Sequence, residues 1–196
     1  PKAMEIRSRE TRHVQLRSFF CNTIAARVMI SMSPPKTLVL QRTKEREKVA
    51  FWLGTWFGCG LSPRSPGTVG SLGALPLYFL VVRFGPVGIG ITALVITLLG
   101  IVVSTRLARA SGCNDPQFVV IDEVAGMLFT LAFVPARWDG LLAALVLFRL
   151  FDILKPPPCR WIEKHLPPGP GIMLDDVFAA IWAIGMILIF NKIGWL

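Results

Sequence analysis

Charged residues are scarce in this chain, and acidic residues are the scarcer kind. Only 17% of the 196 residues are charged, while 53% are hydrophobic. A typical soluble domain has about 25% charged residues. Lysine and arginine number 21, whereas aspartate and glutamate number 12. This composition excludes an intrinsically disordered chain, which would be poor in hydrophobic residues, and it argues against an ordinary soluble surface.

Cysteine and histidine are also too few for several kinds of site. The chain has four cysteines, scattered and without a C-x-x-C pair or a neighbouring histidine: Cys21, Cys59, Cys113 and Cys159. Neither a zinc site nor a disulfide framework is indicated, and a reducing compartment fits best. The two histidines, His13 and His165, make a histidine-based mechanism a poor interpretation. The G-x-x-x-x-G-K-[ST] pattern of a nucleotide P-loop is absent as well.

The basic residues that are present gather near the N-terminus. Residues 1–50 hold 11 basic and 4 acidic residues, a net charge of +7. The rest of the chain holds 10 basic and 8 acidic residues, a net charge of +2. We interpret residues 1–49 as a basic N-terminal extension and residues 50–196 as one helical domain.

Residues 1–33 within this extension are a candidate for an amphipathic helix or a targeting segment. A separate hypothesis is that Met29 or Met32 is the first residue of the native protein. A dispensable extension is the alternative. Because the remaining chain is so hydrophobic, an anionic lipid surface is the favoured partner of the positive charge. Nucleic acid is disfavoured, since the region lacks interleaved aromatic residues and lysines.

The hydrophobic runs after residue 60 lack strict alternation, which predicts helices rather than strands. We expect helices over residues 68–83, 87–104, 122–135, 140–155 and 176–192. The second can span a bilayer of about 30 Å, whereas the shortest runs are also compatible with core helices. The predicted fold class is therefore all-α: a helical, membrane-associated bundle with several hydrophobic helices, whose depth of insertion stays open.

The order of these helices predicts that the polar motifs meet on one face. If each helix crosses the bundle once, one end receives residues 62–68, Arg106, Arg109, Asp122–Glu123, residues 152–155 and Asp175–Asp176. The other end receives Arg83, Arg137, Asp139 and Lys192. The excess of lysine and arginine predicts that the first end faces the cytoplasm.

Five of the eight acidic residues after residue 50 form three groups: Asp122–Glu123, Asp152 and Asp175–Asp176. Acidic residues at a helix start can simply be caps favoured by the helix dipole, which is the alternative interpretation. Charges in an apolar bundle are costly, however, and usually mark function. Carboxylates gathered on one face suit a hard divalent cation such as Mg²⁺. The other three acidic residues, Asp115, Asp139 and Glu163, are assigned no catalytic role.

Basic residues and a glycine-rich segment accompany the acidic groups. Arg149, Asp152 and Lys155 are spaced i, i+3, i+6, as in a local ion-pair ladder or a phosphate clamp. The three prolines after Lys155 stop the helix and predict a rigid, extended exit. Residues 58–71 are rich in Gly, Ser and Pro and precede a helix, which suits anion binding but is also typical of a plain loop. Together with Arg64, these parts indicate metal-assisted phosphoryl chemistry.

The chain resembles the phosphatidylglycerophosphatase A family in five strings that match in order and spacing. They are GLSP (60–63), PGTVGS (66–71), VIDEVAG (120–126), RLFDILKP (149–156) and GIMLDDV (171–177). The resemblance covers about residues 50–190. It implies a Mg²⁺-dependent, all-helical phosphatase of the bacterial inner membrane. Such enzymes hydrolyse phosphatidylglycerophosphate to phosphatidylglycerol and inorganic phosphate.

The resemblance also implies roles for individual residues. The catalytic candidates are Asp122, Glu123, Asp152, Lys155, Asp175 and Asp176. The candidate Mg²⁺ ligands are Asp122, Glu123, Asp152 and Asp176. The candidate phosphate-binding residues are Arg149, Ser62, Arg64 and Thr68. In the mechanism that we expect, Asp152 or Asp175 orients or deprotonates water and Lys155 neutralises the phosphate; an aspartyl-phosphate route stays open.

Three other interpretations are alternatives. A CDP-alcohol phosphotransferase is also membrane-bound and rich in acidic residues, but its D-x2-D-G-x2-A-R pattern is absent from this sequence. A membrane cation transporter would use carboxylates near the middle of the bilayer, whereas these acidic groups are expected at helix ends. A soluble oligomer would have to bury the apolar helix faces between subunits.

Overall fold

The computed structural model describes residues 36–194. The amphipathic helix expected within residues 1–33 and the candidate starts Met29 and Met32 lie outside the described residues. The chain divides into two units, with the boundary between Val39 and Leu40. The boundary of the basic extension at residue 49 stays a prediction. The account below concerns the second unit.

The described chain is built from helices, and residues 36–194 contain no β-strand, which confirms the all-α prediction. The α-helices are α1 (Lys36–Arg46), α2 (Lys48–Gly54), α3 (Pro66–Val81), α4 (Gly85–Ser111), α5 (Ile121–Leu131), α6 (Trp138–Leu154), α7 (Cys159–His165) and α8 (Pro168–Lys192). Two short 3-10 helices, Cys59–Leu61 and Val82–Phe84, precede α3 and α4. The five expected helices correspond to α3, α4, α5, α6 and α8.

The start of α8 differs from the prediction and changes the setting of two acidic residues. The helix begins at Pro168 rather than at residue 176. Prolines are accepted in the first turn because the missing N–H would have no partner there. Asp175 and Asp176 therefore lie about 11 Å along the helix from its start, at 1.5 Å per residue. The alternative interpretation of these two acidic residues as helix caps is therefore wrong, because neither lies at the start of the helix.

The segment after α6 also differs from the prediction. Residues 156–158 form a turn rather than an extended exit, and the short helix α7 follows directly. Lys155 ends α6 in a left-handed conformation, with φ of 46°. The turn folds α7 back against α8, so α7 covers the N-terminal part of that helix.

Helix α5 forms the centre of the bundle and packs against α3, α4, α6 and α8. Most of its side chains are buried, including Val124 and Leu128. Close approach of its neighbours depends on small residues. A Cβ on Gly126 would lie 2.5 Å from the Phe148 ring and 3.1 Å from the carbonyl oxygen of Asp176. The N-terminus of α5 is therefore held firmly between α6 and α8.

The outside of the bundle is strongly apolar. Two segments are long and apolar enough to cross a membrane, Pro66–Ser111 and Pro168–Lys192, with mean hydropathies of 2.5 and 2.1. Only 33% and 44% of their most apolar windows are buried within the protein. Large exposed side chains cover the outer face of α4: Val87, Ile91, Leu94, Val95, Leu98 and Val102. Such a continuous apolar surface fits the predicted membrane-associated bundle.

The two ends of the bundle carry different charges, as the helix order predicts. At one end, Arg137 forms an exposed ion pair with Asp139, with Nη2 2.6 Å from Oδ2. The other end gathers the N-termini of α3, α5 and α8, the C-termini of α4 and α6, and the short helix α7. The acidic groups lie at this second end, which confirms that the polar motifs gather on one face.

Candidate functional site

Three carboxylates from two helices converge at the polar end of the bundle. Asp122 and Glu123 lie in the first turn of α5, and Asp176 lies on α8. One oxygen from each carboxylate lies within 4.8 Å of the other two. An octahedral Mg²⁺ with oxygen ligands at 2.0–2.1 Å holds opposing ligands about 4.2 Å apart. Only one pair among three ligands can be opposing, and neighbouring ligands lie about 2.9 Å apart, so the oxygens must approach one another by up to about 2 Å to share one such ion, a shift that side-chain rotation can supply.

One oxygen of each of the three carboxylates lacks a hydrogen-bond partner in the described part of the chain. Asp122 Oδ1, Glu123 Oε2 and Asp176 Oδ2 are buried and accept no hydrogen bond there. Burial raises the pKa of Asp122 well above its usual value, and it raises the pKa of Glu123 to about 8. Leaving ionised carboxylates buried and unpaired is costly. Buried, unpartnered oxygen donors of this kind fit a bound divalent cation.

The balance of charge at this end also favours a bound cation. Five acidic residues lie in the site against two basic ones: Asp122, Glu123, Asp152, Asp175 and Asp176 against Arg149 and Lys155. When all are ionised, the group carries a net charge of −3. A bound cation would offset part of this repulsion and would favour the approach of a phosphate group.

Arg149 links the three carboxylates to Asp152. Its Nη1 lies 2.5 Å from Asp152 Oδ2 and 3.8 Å from Glu123 Oε1. Its Nε is buried and donates no hydrogen bond to any described residue. Asp152 also lies within hydrogen-bonding reach of Asp176. The structure thus pairs Asp152 primarily with Arg149, and its expected role as a metal ligand stays a prediction.

Lys155 organises a second acidic group beside the first. Its Nζ lies 2.7 Å from Asp175 Oδ2 and 3.1 Å from Glu163 Oε2. Burial lowers the pKa of Lys155, but hydrogen bonds and charges from Asp175 and Glu163 outweigh this effect and raise the pKa above its usual value. Lys155 is therefore a fixed positive charge between α6, α7 and α8. Asp175 is only 5% exposed, so this ion pair is largely shielded from water.

Glu163 and Asp115 are residues of this region that the sequence interpretation left without a role. Glu163 contacts Lys155 directly, and the charge of Asp115 interacts with Lys155 and Asp152. Asp115 lies between α4 and α5, at the end where helix order places the acidic groups. The helix order alone therefore predicts the position of Asp115. The position of Glu163 could not be predicted in this way, because it depends on the turn at residues 156–158.

The glycine-rich segment reaches the site through its backbone. Gly67, at the start of α3, lies so close that a Cβ would collide with the Glu123 carboxylate and come within 2.8 Å of both terminal nitrogens of Arg149. Ser62 and Thr68 are half-buried and Arg64 is exposed. Within residues 36–194, no hydrogen bond or ion pair joins the side chains of Ser62, Arg64 or Thr68 to the acidic residues. Their expected contacts with phosphate stay a prediction.

Comparisons with known proteins agree with this geometry. The family model for phosphatidylglycerophosphatase A matches residues 52–191. The chain is 35% identical over 136 residues to phosphatidylglycerophosphatase A of Escherichia coli K12, covering 69% of this chain and 79% of that protein. It is 40% identical over 147 residues to phosphatidylglycerophosphatase A of Haemophilus influenzae, covering 74% and 88%.

A third relative has a different name. The chain is 40% identical over 146 residues to a Bacteroides thetaiotaomicron protein provisionally named a phosphatidylinositol-3-phosphatase, covering 70% of this chain and 90% of that protein. No solved structure matches the chain.

Proposed function

The chain belongs to the phosphatidylglycerophosphatase A family and is a phosphatase, and we propose that it hydrolyses phosphatidylglycerophosphate to phosphatidylglycerol and inorganic phosphate. One observation carries this proposal beyond the family itself. A buried group of unpartnered carboxylates lies beside a buried arginine at one end of an apolar helical bundle. The carboxylates suit a divalent cation, the arginine suits a phosphate, and the apolar surface suits a lipid.

We assign Mg²⁺ to Asp122, Glu123 and Asp176. Their unpartnered oxygens support this choice, because hard oxygen donors are the ligands that Mg²⁺ prefers. When bound, the ion supplies positive charge that stabilises a phosphate oxygen as negative charge develops on it. Asp122 and Glu123 share the rigid first turn of α5, and Asp176 approaches from α8. Two helices packed together thus hold the ligands in place.

Arg149 binds the phosphomonoester in this mechanism. Its guanidinium is held by Asp152, and its buried Nε is left free to donate to a phosphate oxygen. Gly67 makes room beside Nη1 and Nη2. The side chain is therefore oriented before substrate arrives, which reduces the entropy cost of binding.

Asp152 orients the attacking water and accepts its proton. It is the carboxylate that lies beside both Arg149 and Asp176, whereas Asp175 is already engaged by Lys155. A bond forms between the water oxygen and phosphorus, the bond from phosphorus to the glycerol oxygen breaks, and that oxygen takes a proton from solvent. Because its pKa is raised, Lys155 stays charged and acts by neutralising the phosphate, not by donating the proton.

We propose that the polar end of the bundle faces the cytoplasm and rests against an anionic lipid surface of the bacterial inner membrane. Basic residues cluster there. Arg106 and Arg109 lie near the end of α4, Lys44 lies near the end of α1, and Lys48 begins α2. Helix α2 joins this end because Gly54 accepts a hydrogen bond from the backbone N–H of Val120 at 2.8 Å. An excess of lysine and arginine is typical of the cytoplasmic side.

The test is phosphate release from phosphatidylglycerophosphate in mixed micelles, with Mg²⁺ and with EDTA. We expect release that EDTA abolishes and that added Mg²⁺ restores. Phosphatidylinositol 3-phosphate is assayed in parallel, because the Bacteroides relative carries that name. If folded protein releases phosphate from phosphatidylinositol 3-phosphate and none from phosphatidylglycerophosphate, the proposed substrate is wrong. If EDTA has no effect, the metal assignment is wrong.

A further inference from the structure

A cavity of about 400 Å³ lies between the end of α6 and the short helix α7. It is lined by residues 154–158, Arg160 and Trp161. Lys155 belongs both to this lining and to the acidic site, where it contacts Asp175. The cavity therefore adjoins the site at this residue. Of the residues that line it, the mechanism proposed above uses Lys155 alone.

Arg160 is the cation in this cavity that is available to a ligand. Lys155 already faces two carboxylates, on Asp175 and Glu163. Arg160 forms no ion pair with any described residue, and its one hydrogen bond runs from Nη2 to the carbonyl oxygen of Leu154, at 3.1 Å. That bond fixes the guanidinium beside the end of α6. Its remaining donors, in the planar fork of the guanidinium, suit two oxygens of a phosphate group.

The rest of the wall suits the part of a lipid that joins head group and tails. Trp161 is 59% exposed, and its ring stacks on that of His165 with centroids 4.8 Å apart. Leu154 is also exposed. The three prolines between Leu154 and Trp161 add apolar surface, and their side chains lose almost no conformational entropy when a ligand binds. Tryptophan is favoured where an apolar region meets water.

We propose that this cavity binds the phosphodiester of the lipid substrate, with Arg160 as the specificity-determining residue. The inference rests on the proposed function. Phosphatidylglycerophosphate has two phosphates, a terminal monoester that is removed and a diester that remains in the product. The proposal requires that, with the monoester at Arg149, the three-carbon glycerol extends past Lys155 and brings the diester to Arg160. Trp161 and Leu154 then contact the start of the acyl region.

The kinetic test compares Arg160→Gln with Arg83→Gln. Arg83 is an exposed arginine at the opposite end of the bundle that does not line the cavity, so the two variants lose the same charge. We expect Arg160→Gln to raise the KM for phosphatidylglycerophosphate about tenfold with kcat unchanged, the loss expected for one charged hydrogen-bonding pair. Arg160→Lys should recover part of the loss, because it keeps the charge without the planar fork. Arg83→Gln should leave both constants near wild type.

A binding measurement tests the same idea without catalysis. Phosphatidylglycerol carries only the diester and phosphatidic acid only the monoester, and tryptophan fluorescence in detergent micelles reports the binding of each. Arg160→Gln should weaken phosphatidylglycerol binding about tenfold and leave phosphatidic acid binding unchanged. Equal effects of Arg160→Gln and Arg83→Gln, or equal losses for both lipids, would overturn the inference. Absence of phosphate release by wild-type protein that still shows the binding difference would overturn only the proposed function.

Discussion

The backbone of Gly67 lies directly against the guanidinium group of Arg149. A Cβ on Gly67 would lie 2.7 Å from Nη1 and 2.8 Å from Nη2, and it would collide with the Glu123 carboxylate. Neither neighbour can withdraw freely, since Arg149 is held by Asp152 and Glu123 lies in the first turn of a central helix. Because Gly67 has no side chain, the start of α3 can pack directly against the carboxylates of α5 and the arginine of α6.

Gly67→Ala should abolish most of the phosphatase activity while leaving the fold intact. The added methyl group would move Arg149 and Glu123 by about 1 Å, and displacements of this size in a preorganised site cost on the order of 100-fold in rate. Phosphate release from the lipid substrate measures the effect. Gly185→Ala is the matched control, because nothing lies within 4 Å of the methyl group it adds. Equal activity of the two variants would contradict this account of Gly67.

The carboxylates assigned to Mg²⁺ should reveal the ion through stability as well as activity. We expect Mg²⁺ to raise the melting temperature of the wild-type protein in detergent, because a ligand that binds only the folded state stabilises it. Asp122→Asn and Asp176→Asn should lose both this increase and the activity, while each retains helical circular dichroism. Asp139→Asn, which alters the exposed pair with Arg137 at the opposite end, should keep both. A Mg²⁺ response that survives in Asp176→Asn would remove that residue from the ligand set.

The pH dependence of metal-free stability follows from the raised pKa of Glu123. Burial raises this pKa from 4.5 to about 8, so the folded state binds a proton more tightly than the unfolded state does. The metal-free protein should therefore lose stability as the pH rises from about 5 to about 8. Melting temperatures in the presence of EDTA measure this slope, and Glu123→Gln should reduce it. A slope that is unchanged in the variant would mean that other groups cause it.

Removing Lys155 alone from its ion pair with Asp175 should lower the unfolding free energy more than removing both charges does. Lys155→Met leaves the Asp175 carboxylate buried without its cation, which should cost about 2–3 kcal/mol of unfolding free energy. Lys155→Met combined with Asp175→Asn removes the unpaired charge and should recover most of that stability without recovering activity. Denaturant titrations in detergent compare the three proteins. Equal stability of the single and double variants would contradict the cost assigned to the unpaired Asp175 carboxylate.

The overall arrangement could be predicted from the sequence because it depends on simple properties. Hydrophobic runs without alternation predicted the helices, and the number of crossings predicted which end carries each polar motif. Asp122, Asp152 and Asp176 are far apart in the chain, yet α5, α6 and α8 bring them to the same end. Binding of Asp152 to Arg149 also follows from their spacing of three residues on one helix.

Other features depend on contacts that no local pattern specifies. The early start of α8 depends on prolines that are accepted in a first turn, although the same prolines predict a loop when read alone. The contact between Lys155 and Glu163 depends on a turn that folds α7 onto α8. The approach of Gly67 to Arg149 depends on how closely three helices pack. Each of these is set by tertiary packing, which overrides local sequence preference.

The lengths of two helices have a consequence for the membrane itself. Helix α3 has 16 residues and α6 has 17, so they extend about 24 and 26 Å, less than the hydrocarbon thickness of about 30 Å. Where helices of this length cross a bilayer, the bilayer becomes thinner around them to avoid hydrophobic mismatch. Lipid head groups next to the protein then lie deeper than those farther away. The membrane would thus lower the substrate's phosphate toward carboxylates that lie two turns inside α8, and the lipid would not need to leave the bilayer to be hydrolysed.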